Sequence, residues 1–426
     1  MKNLFPVVLL FSLLILHAAA SEAQDGDTDF FSDRELITEV VNWATDHGAY
    51  ISEKVEIKHI GEGLTGIFSK DSIEKGEIVS EIPWDIVIRS PRESTCASIY
   101  IAYKAITDPR PQFQTPYIRY LQTRSRAFHP YFWSKPGRQL FLEMKGPHVP
   151  SNDIYEVDDP VEEKLESCDL EDILDSGDEA VLQAVFLALT RVENDDSLIP
   201  FNDILNHHND DHHFNVEPVL VPSDGFQIVA RRDIKPGEQL TNSYNRCIWC
   251  NVYRNPGTAD GFLLTSHMFD HYGFLEEYPQ RWVIPDFRLL FDIVENQGMV
   301  QNDSNDDDKE HLESAPLIAK FAVPPSDWGI AFLEKEIERL KMFKEEHLKK
   351  SEMGISEIEW KSIWEYHSSL LTAYTVAFQE AKKQEDTISD YVWTRNENSW
   401  FEEDEVEEED EIDDEESDDD EEEEEE

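Results

Sequence analysis

The stretch from Pro200 to Tyr244 constrains the fold of this chain more than any other. It opens on Pro200-Phe201-Asn202-Asp203-Ile204-Leu205-Asn206-His207 and passes through a polar segment rich in histidine. It closes on Gly237-Glu238-Gln239-Leu240-Thr241-Asn242-Ser243-Tyr244. Between these ends lie two alternating runs, Val216 to Val221 and Phe226 to Ala230, joined by Pro222-Ser223-Asp224-Gly225. Alternation around such a joint predicts a β-hairpin, because strands send successive side chains to opposite faces and these residue types favour turns. The closing segment has an echo: Lys70-Asp71-Ser72-Ile73-Glu74-Lys75-Gly76-Glu77 resembles Arg232-Asp233-Ile234-Lys235-Pro236-Gly237-Glu238. Each copy reads as a strand, a tight glycine turn and another strand.

The rest of the sequence divides around this stretch. Residues 24–52 read as a helical lead-in. Leu36, Val40, Val41, Trp43 and Ala44 fall at helical spacing between Phe30 and Ala49, with Ser32 as N-cap and Glu35 three residues on. Short strands are expected around Val55 and Ile57, from Gly66 to Phe68, from Ile78 to Ile82 and from Ile86 to Ile88, with Pro83 and Pro91 as breaks. Residues from about 92 to 191 read as helical and irregular, ending in a helix whose Val181, Val185 and Leu189 share a face. Beyond about residue 284 the pattern is helical again. Leu333, Ile337, Leu340 and Phe343 define one amphipathic helix, and Trp360, Ile363, Trp364, His367, Leu371, Tyr374 and Phe378 a second.

Charge narrows the partners. The formal charge is −55; residues 402–426 supply 22 of those negative charges with no Lys or Arg, which leaves the body at −33. Such a surface repels phosphate backbones, and no basic stripe is present to bind nucleic acid. It attracts a basic protein, with an on-rate that falls as salt rises. The tail, residues 396–426, cannot bury apolar area and is expected to be disordered.

Lys2, the apolar run from Leu4 to Leu16 and the small residues Ala18-Ala19-Ala20 or Ser21-Glu22-Ala23 read as a secretory signal peptide over residues 1–23. An uncleaved signal anchor is the alternative, although the run is short for a membrane span. No other stretch is apolar enough to cross a bilayer, so no span is expected in the mature chain. Among the cysteines Cys96, Cys168, Cys247 and Cys250, the pair Cys247-Ile248-Trp249-Cys250 fits either a local disulfide or two packed thiols; four-ligand zinc needs a second pair. His207, His208, His212 and His213, with Asp210 and Asp211, show no fixed ligand spacing and read as a solvated loop, so no metal is expected.

Asn206-His207 ahead of Gly237-Glu238-x-Leu240-x-x-x-Tyr244, with Gly61-Glu62-Gly63-Leu64 and Lys75-Gly76-Glu77 upstream, resembles the SET-domain protein methyltransferases. The arrangement is most similar to the branch that holds the Rubisco large-subunit and actin-histidine methyltransferases. Thr115-Pro116-Tyr117-Ile118-Arg119-Tyr120-Leu121 and Phe132-Trp133-Ser134 resemble that branch's helical insert, although Gln122 stands where a proline is usual. Phe269-Asp270-His271-Tyr272-Gly273-Phe274 resembles its closing Tyr-Gly-Phe. The resemblance implies an α+β fold: short strands with a knot-like C-terminal segment over residues 53–277, a helical insert at about 92–191, and a helical domain at 278–395 that holds the substrate protein in related enzymes. It implies methyl transfer from S-adenosyl-L-methionine to a lysine of a protein substrate, with histidine as the alternative.

The resemblance also assigns roles by position. The backbone at Glu62, Gly63 and Leu64 contacts the cofactor, as glycine permits close approach. Asn206 and His207 bind the cofactor's amino-acid and adenine ends, and Phe274 covers its adenine or packs in the core. Arg191 either meets the cofactor carboxylate or serves as the cation favoured at a helix C-terminus. Tyr244 is the catalytic tyrosine, orienting the target nitrogen. Ile204, Leu205 and Phe214 line the substrate channel, with Phe214 standing where some relatives place a second tyrosine. That departure, together with the signal peptide, sustains another reading: a non-catalytic SET-fold binding protein of the secretory pathway, whose acidic tail collects calcium or basic partners.

Overall fold

The computed structural model describes residues 27–61, 64–90, 94–110, 115–149, 160–168, 170, 179–193, 196–209, 214–221, 225–244, 246–247, 261–262, 264–296, 316–347 and 354–385. Residues 1–23, read from the sequence as a signal peptide, the acidic tail, Glu62, Gly63, Cys250 and the side chains of Leu64 and Cys247 lie outside the described residues.

The chain opens with α1 (Asp27–Asp46). Ile37, Val40 and Ala44 form its buried face, one stripe of a helix. Ser32 lies inside α1 and does not cap it, because the sequence has no breaker between Gly26 and that residue. Next come β1 (Tyr50–Ile51), β2 (Val55–Gly61), β3 (Leu64–Ser69), β4 (Ile78–Ile82) and β5 (Ile88–Arg89). The helical insert holds α2 (Thr95–Thr107), α3 (Pro116–Gln122), α4 (Lys135–Lys145), α5 (Pro160–Glu166) and α6 (Glu179–Thr190). Strands then return as β6 (Ser197–Leu198), β7 (Asn206–His207), β8 (Val216–Val221), β9 (Gly225–Ala230) and β10 (Gln239–Asn242). Two four-stranded sheets result, ordered β1-β4-β9-β8 and β2-β3-β10-β7. Each joins two strands from before the insert to two from after it, so neither half of the chain completes either of these sheets by itself.

The echo in the sequence is one turn built twice. Gly76 and Gly237 both sit at φ +84°, a conformation open to glycine and costly for other residues. In each turn the following glutamate accepts a backbone N–H from three residues back: Glu74 to Glu77 at 3.1 Å and Lys235 to Glu238 at 3.0 Å. Each glutamate also pairs with a cation, Lys54 for Glu77 and Arg232 for Glu238. Ile73 and Ile234 then exchange reciprocal backbone hydrogen bonds of 3.0 and 2.9 Å, which binds the two copies to each other.

Within the insert, Thr115 caps α3 and Ser134 caps α4, each accepting a backbone N–H at 3.2 Å with a proline in the first turn. Gln122 donates to the carbonyl of Ile106 at 3.0 Å and so ties α3 to α2. A disulfide joins Cys96, at the start of α2, to Cys168, just past α5, across a sequence separation of 72. Nothing local in the sequence marks a bond between residues so far apart, and the reading of Cys247 and Cys250 lies outside the described residues.

Past the short pair β11 (Arg246–Cys247) and β12 (Gly261–Phe262), α7 (Thr265–Tyr272) leads into an antiparallel sheet of β13 (Gln280–Ile284), β14 (Leu289–Glu295) and β15 (Leu317–Phe321). Only then come the long helices α8 (Asp327–His347) and α9 (Glu357–Glu385). The region expected to be helical throughout therefore begins as β-structure. Leu289, Phe291 and Ile293 are buried alternately along β14, the period of a strand and not of a helix. The insert does not belong to one core, either. Its Tyr117, Leu121 and Val185 pack with α1 and the first two sheets, whereas Trp133, Phe141 and Met144 pack with β13 to β15, α8 and α9.

A buried ion pair sits at that second core. Lys145 Nζ lies 3.2 Å from Asp270 Oδ2, and neither side chain is exposed. The ammonium also faces the rings of Phe141 and Tyr366 at 5.5 and 5.9 Å. Burial holds the Lys145 pKa below the usual lysine range, against the pull of Asp270. Lys145→Met would strip the buried Asp270 of its cation, and we expect it to cost about 3–5 kcal/mol. Lys145→Met with Asp270→Leu should regain much of that loss, as read by urea unfolding.

Candidate active site

The site is assembled where β7 lies parallel to β10, with Asn206 beside Thr241 and His207 beside Asn242. The chain enters β7 through a tight turn. Phe201 takes φ +70°, rare for a residue with a side chain, and a 3-10 turn follows at Asn202–Ile204. The side chains of Ile204 and Leu205 are buried in the first core. It is the Leu205 carbonyl that faces the site, where it accepts the hydroxyl of Tyr244. Asn206 Nδ2 donates to the Thr65 carbonyl at 3.0 Å, which ties β7 to β3. Gly66 makes this approach possible: a Cβ there would lie 2.6 Å from Gln239 Nε2 and 3.1 Å from Asn206 Nδ2. Leu64 opens β3 opposite Gly61, and its backbone stands at the hairpin where the family resemblance implies contact with the cofactor.

Around Tyr244 the rings of His207, Tyr272 and Phe274 gather at centroid distances of 5.3, 5.4 and 6.4 Å. The last two arrive from the end of α7. Gly273 closes that helix in the left-handed conformation, and any Cβ on it would strike the backbone of Phe128 and His129. His129 Nε2 bonds the His271 carbonyl at 2.7 Å, and burial pushes the pKa of His129 down to about 3, so the ring is a neutral donor there. Tyr272 had no separate role in the sequence reading, although its Tyr-Gly-Phe setting marked the place. His207 Nδ1 accepts the backbone N–H of Tyr244 at 2.9 Å, and its Nε2 lies 3.0 Å from Oε1 of the buried Glu276. Glu276 has no sequence signal that separates it from the other acidic residues of this chain.

Phe214 stands apart from this group. It is buried, and the Arg231 guanidinium lies 3.9 Å above its ring. Its hydrophobic face is thus occupied by a stacked cation, and the rings around Tyr244 do not include it.

Behind the tyrosine lies a buried polar layer. Arg191, following α6, donates from Nη1 to the Asp203 carbonyl at 2.6 Å, and Tyr120 donates its hydroxyl to the same carbonyl at 3.2 Å. Tyr117 donates to the Asp203 carboxylate at 2.5 Å. Burial pulls the Arg191 pKa down, but Tyr120, Asp203 and Tyr244 around it outweigh that and leave it raised. The helix-terminal and site readings of Arg191 are therefore compatible. Burial, only partly offset by Arg191, raises the Tyr244 pKa above the usual phenol range. Tyr244 is consequently a neutral hydroxyl at physiological pH, a hydrogen-bonding group and not a phenolate base. Burial also raises Asp203 to about 6, and burial followed by the charge of Asp203 raises Glu193 to about 7.

These shifts predict a pH dependence. A carboxyl whose folded pKa is raised stabilises the fold fully below its unfolded value and loses that contribution as pH rises through the folded value. For Asp203 the window runs from 3.8 to about 6. Asp203→Asn removes this titration, so the variant should lose less stability than the wild type between pH 4 and pH 7. Urea unfolding of both proteins at the two pH values measures the difference.

Residues 65–245 match the family model of the SET domain. No curated protein sequence matches the chain. Among solved structures, the chain is similar to Rubisco LSMT bound to AdoMet, at 11% identity over 83% of this chain and 93% of that one with a TM-score of 0.45. It is also similar to the SET domain of LSMT bound to lysine and AdoHcy, at 11% identity over 83% and 92% with a TM-score of 0.43. The stretch that matches the SET-domain model holds Asn206, His207 and Tyr244.

Proposed function

We propose that the protein is an S-adenosyl-L-methionine-dependent protein N-methyltransferase that acts on a lysine side chain, with histidine as the alternative acceptor. The observation that carries this reading is the meeting of Tyr244 with Asn206-His207 inside a SET domain, with its hydroxyl on the Leu205 carbonyl. The surroundings fit the cofactor: aromatic faces at Tyr272 and Phe274 suit a flat base, and Arg191 suits a carboxylate. Asn206, His207, Arg191, Phe274 and the backbone at Leu64 would hold it. When bound, S-adenosyl-L-methionine supplies a methyl group already activated on a sulfonium.

The chain's own residues then have a positioning task. The Leu205 carbonyl and the Tyr244 hydroxyl present two oxygens that can take the N–H groups of a target nitrogen and fix its lone pair in one direction. A neutral Tyr244 can do this without adding a negative charge. Burial within the site favours the uncharged amine, since desolvation lowers the pKa of lysine. The acidic body of the protein draws basic substrates toward it.

Calorimetric titration of the protein with S-adenosyl-L-methionine tests the reading. Wild type and Tyr244→Phe should bind, and Asn206→Ala, which loses its tie to Thr65, should bind far more weakly. Tyr244→Phe should lower the rate of methyl transfer to basic proteins in a radiolabelled screen. Absence of binding by folded wild type would sink the enzymatic reading and favour the binding module.

The compartment we propose is the secretory lumen or beyond it, reached through the N-terminal signal, with anchorage by an uncleaved signal as the alternative. The Cys96–Cys168 disulfide supports this, because such bonds persist in oxidising surroundings. Mass spectrometry of the protein from its native cell, digested without reductant, should yield a peptide pair linked through these cysteines. Reduced cysteines on a protein with an intact N-terminus, recovered from the cytosol, would overturn the assignment.

A further inference from the structure

We propose that Glu276 is a positioning residue of this site: it fixes the tautomer of His207 and, through that ring, the backbone of Tyr244. The inference rests on the methyltransferase reading for its kinetic consequence but not for its geometry.

The hydrogen bonds assign the protons. The backbone N–H of Tyr244 points to His207 Nδ1 at 2.9 Å. An amide N–H can only donate, so Nδ1 must carry a lone pair and the imidazole proton must sit on Nε2. That proton faces Glu276 Oε1 at 3.0 Å. The second carboxylate oxygen accepts the hydroxyl of Thr265 at 3.2 Å, and Thr265 Oγ1 in turn accepts the backbone N–H of Arg281 at 2.9 Å. The Glu276 side chain has no exposed surface, and that of His207 is 5% exposed. A carboxylate so deeply placed is stable only where its acceptor capacity is met.

This chain of contacts crosses between parts of the protein. Thr265 opens α7, Arg281 lies in β13, His207 lies in β7 and Tyr244 stands two residues past the end of β10. Glu276 itself lies beyond the matched residues 65–245. Its role follows from which tautomer the carboxylate selects. With the proton on Nδ1, the ring would turn a donor toward the Tyr244 amide and break the bond that holds it. The amide belongs to the residue whose hydroxyl meets the Leu205 carbonyl, and displacement of a positioning group by about 1 Å can cost on the order of a hundredfold in rate. A buried carboxylate orienting a histidine through its ring nitrogen is an effective way to fix such a ring.

The test compares Glu276→Ala with Glu276→Gln. Glutamine keeps an oxygen that can accept from Nε2–H, and alanine does not. We expect Glu276→Ala to lower kcat with a basic protein substrate by about tenfold to a hundredfold, with a smaller change in KM, and Glu276→Gln to recover most of the loss. Independently of activity, nitrogen-15 spectra of histidine-labelled protein should show His207 in the Nε2–H tautomer in wild type and Glu276→Gln, and a mixture in Glu276→Ala. Hydrogen exchange at the Tyr244 amide should be faster in the alanine variant alone. A wild-type His207 protonated on Nδ1, or an alanine variant with unchanged tautomer and exchange, would overturn the proposal. Absence of S-adenosyl-L-methionine binding by wild type would instead remove the methyltransferase reading and leave the tautomer result to stand or fall by itself.

Discussion

The site depends on a short parallel pairing, two residues of β7 against two of β10. A pairing of that length has little stability of its own, and parallel strands cannot be linked by a tight turn. It persists because both partners are held from other directions. β10 is fixed antiparallel to β3 at Gln239 and Leu240. The buried Asn215 then brackets it, accepting the Thr241 N–H at 3.0 Å and donating to the Gln239 carbonyl at 2.8 Å. β7 is fixed by Asn206 on Thr65 and by the core burial of Ile204 and Leu205 just before it. Packing, not the ladder itself, thus sets the register that brings His207 beside Tyr244.

Much of this was legible because it is local. Asn206, His207 and Tyr244 sit in motifs whose neighbours fix their conformation, and the paired Gly-Glu turns announce themselves by repeating. Phe274 followed from the glycine before it. Other features are invisible for a physical reason: they are long-range and made from common residue types. Glu276 meeting His207, Lys145 meeting Asp270, and Cys96 bonding Cys168 each join elements that only the tertiary fold brings together. At Ile204 and Leu205 the Leu205 carbonyl faces the site while the side chains supply the core, and periodicity cannot reveal that in a 3-10 turn. The Phe214 ring carries the Arg231 guanidinium, another contact that the sequence around either residue does not mark. The sheet from β13 to β15 was missed because helical spacing downstream dominated a region whose strands are short.

The polar layer behind Tyr244 resolves an electrostatic problem. Arg191 is a permanent cation in a buried setting, which is unfavourable unless acceptors surround it. Asp203 answers mainly with its carbonyl, while its carboxyl bonds Tyr117 and has a raised pKa. The guanidinium is therefore held in place without being fully neutralised, and it retains an attraction for an additional anionic group. A carboxylate arriving with a ligand would meet a cation whose position was already fixed. This is the kind of preorganisation that lowers the ordering cost of binding.

The same logic explains why so acidic a protein can present a neutral tyrosine at this site. Charges exposed at the surface are screened by water and salt within about a Debye length of 8–10 Å. Inside, burial, the phenol hydroxyls of Tyr117 and Tyr120, and Arg191 set the local potential. The outer field can gather basic proteins without shifting the proton on Tyr244, whose pKa is governed by burial first and by Arg191 second. Under the proposed function, attraction of a basic substrate and the proton on the hydroxyl would be under separate electrostatic control, so added salt should slow encounter while leaving the bound geometry in place.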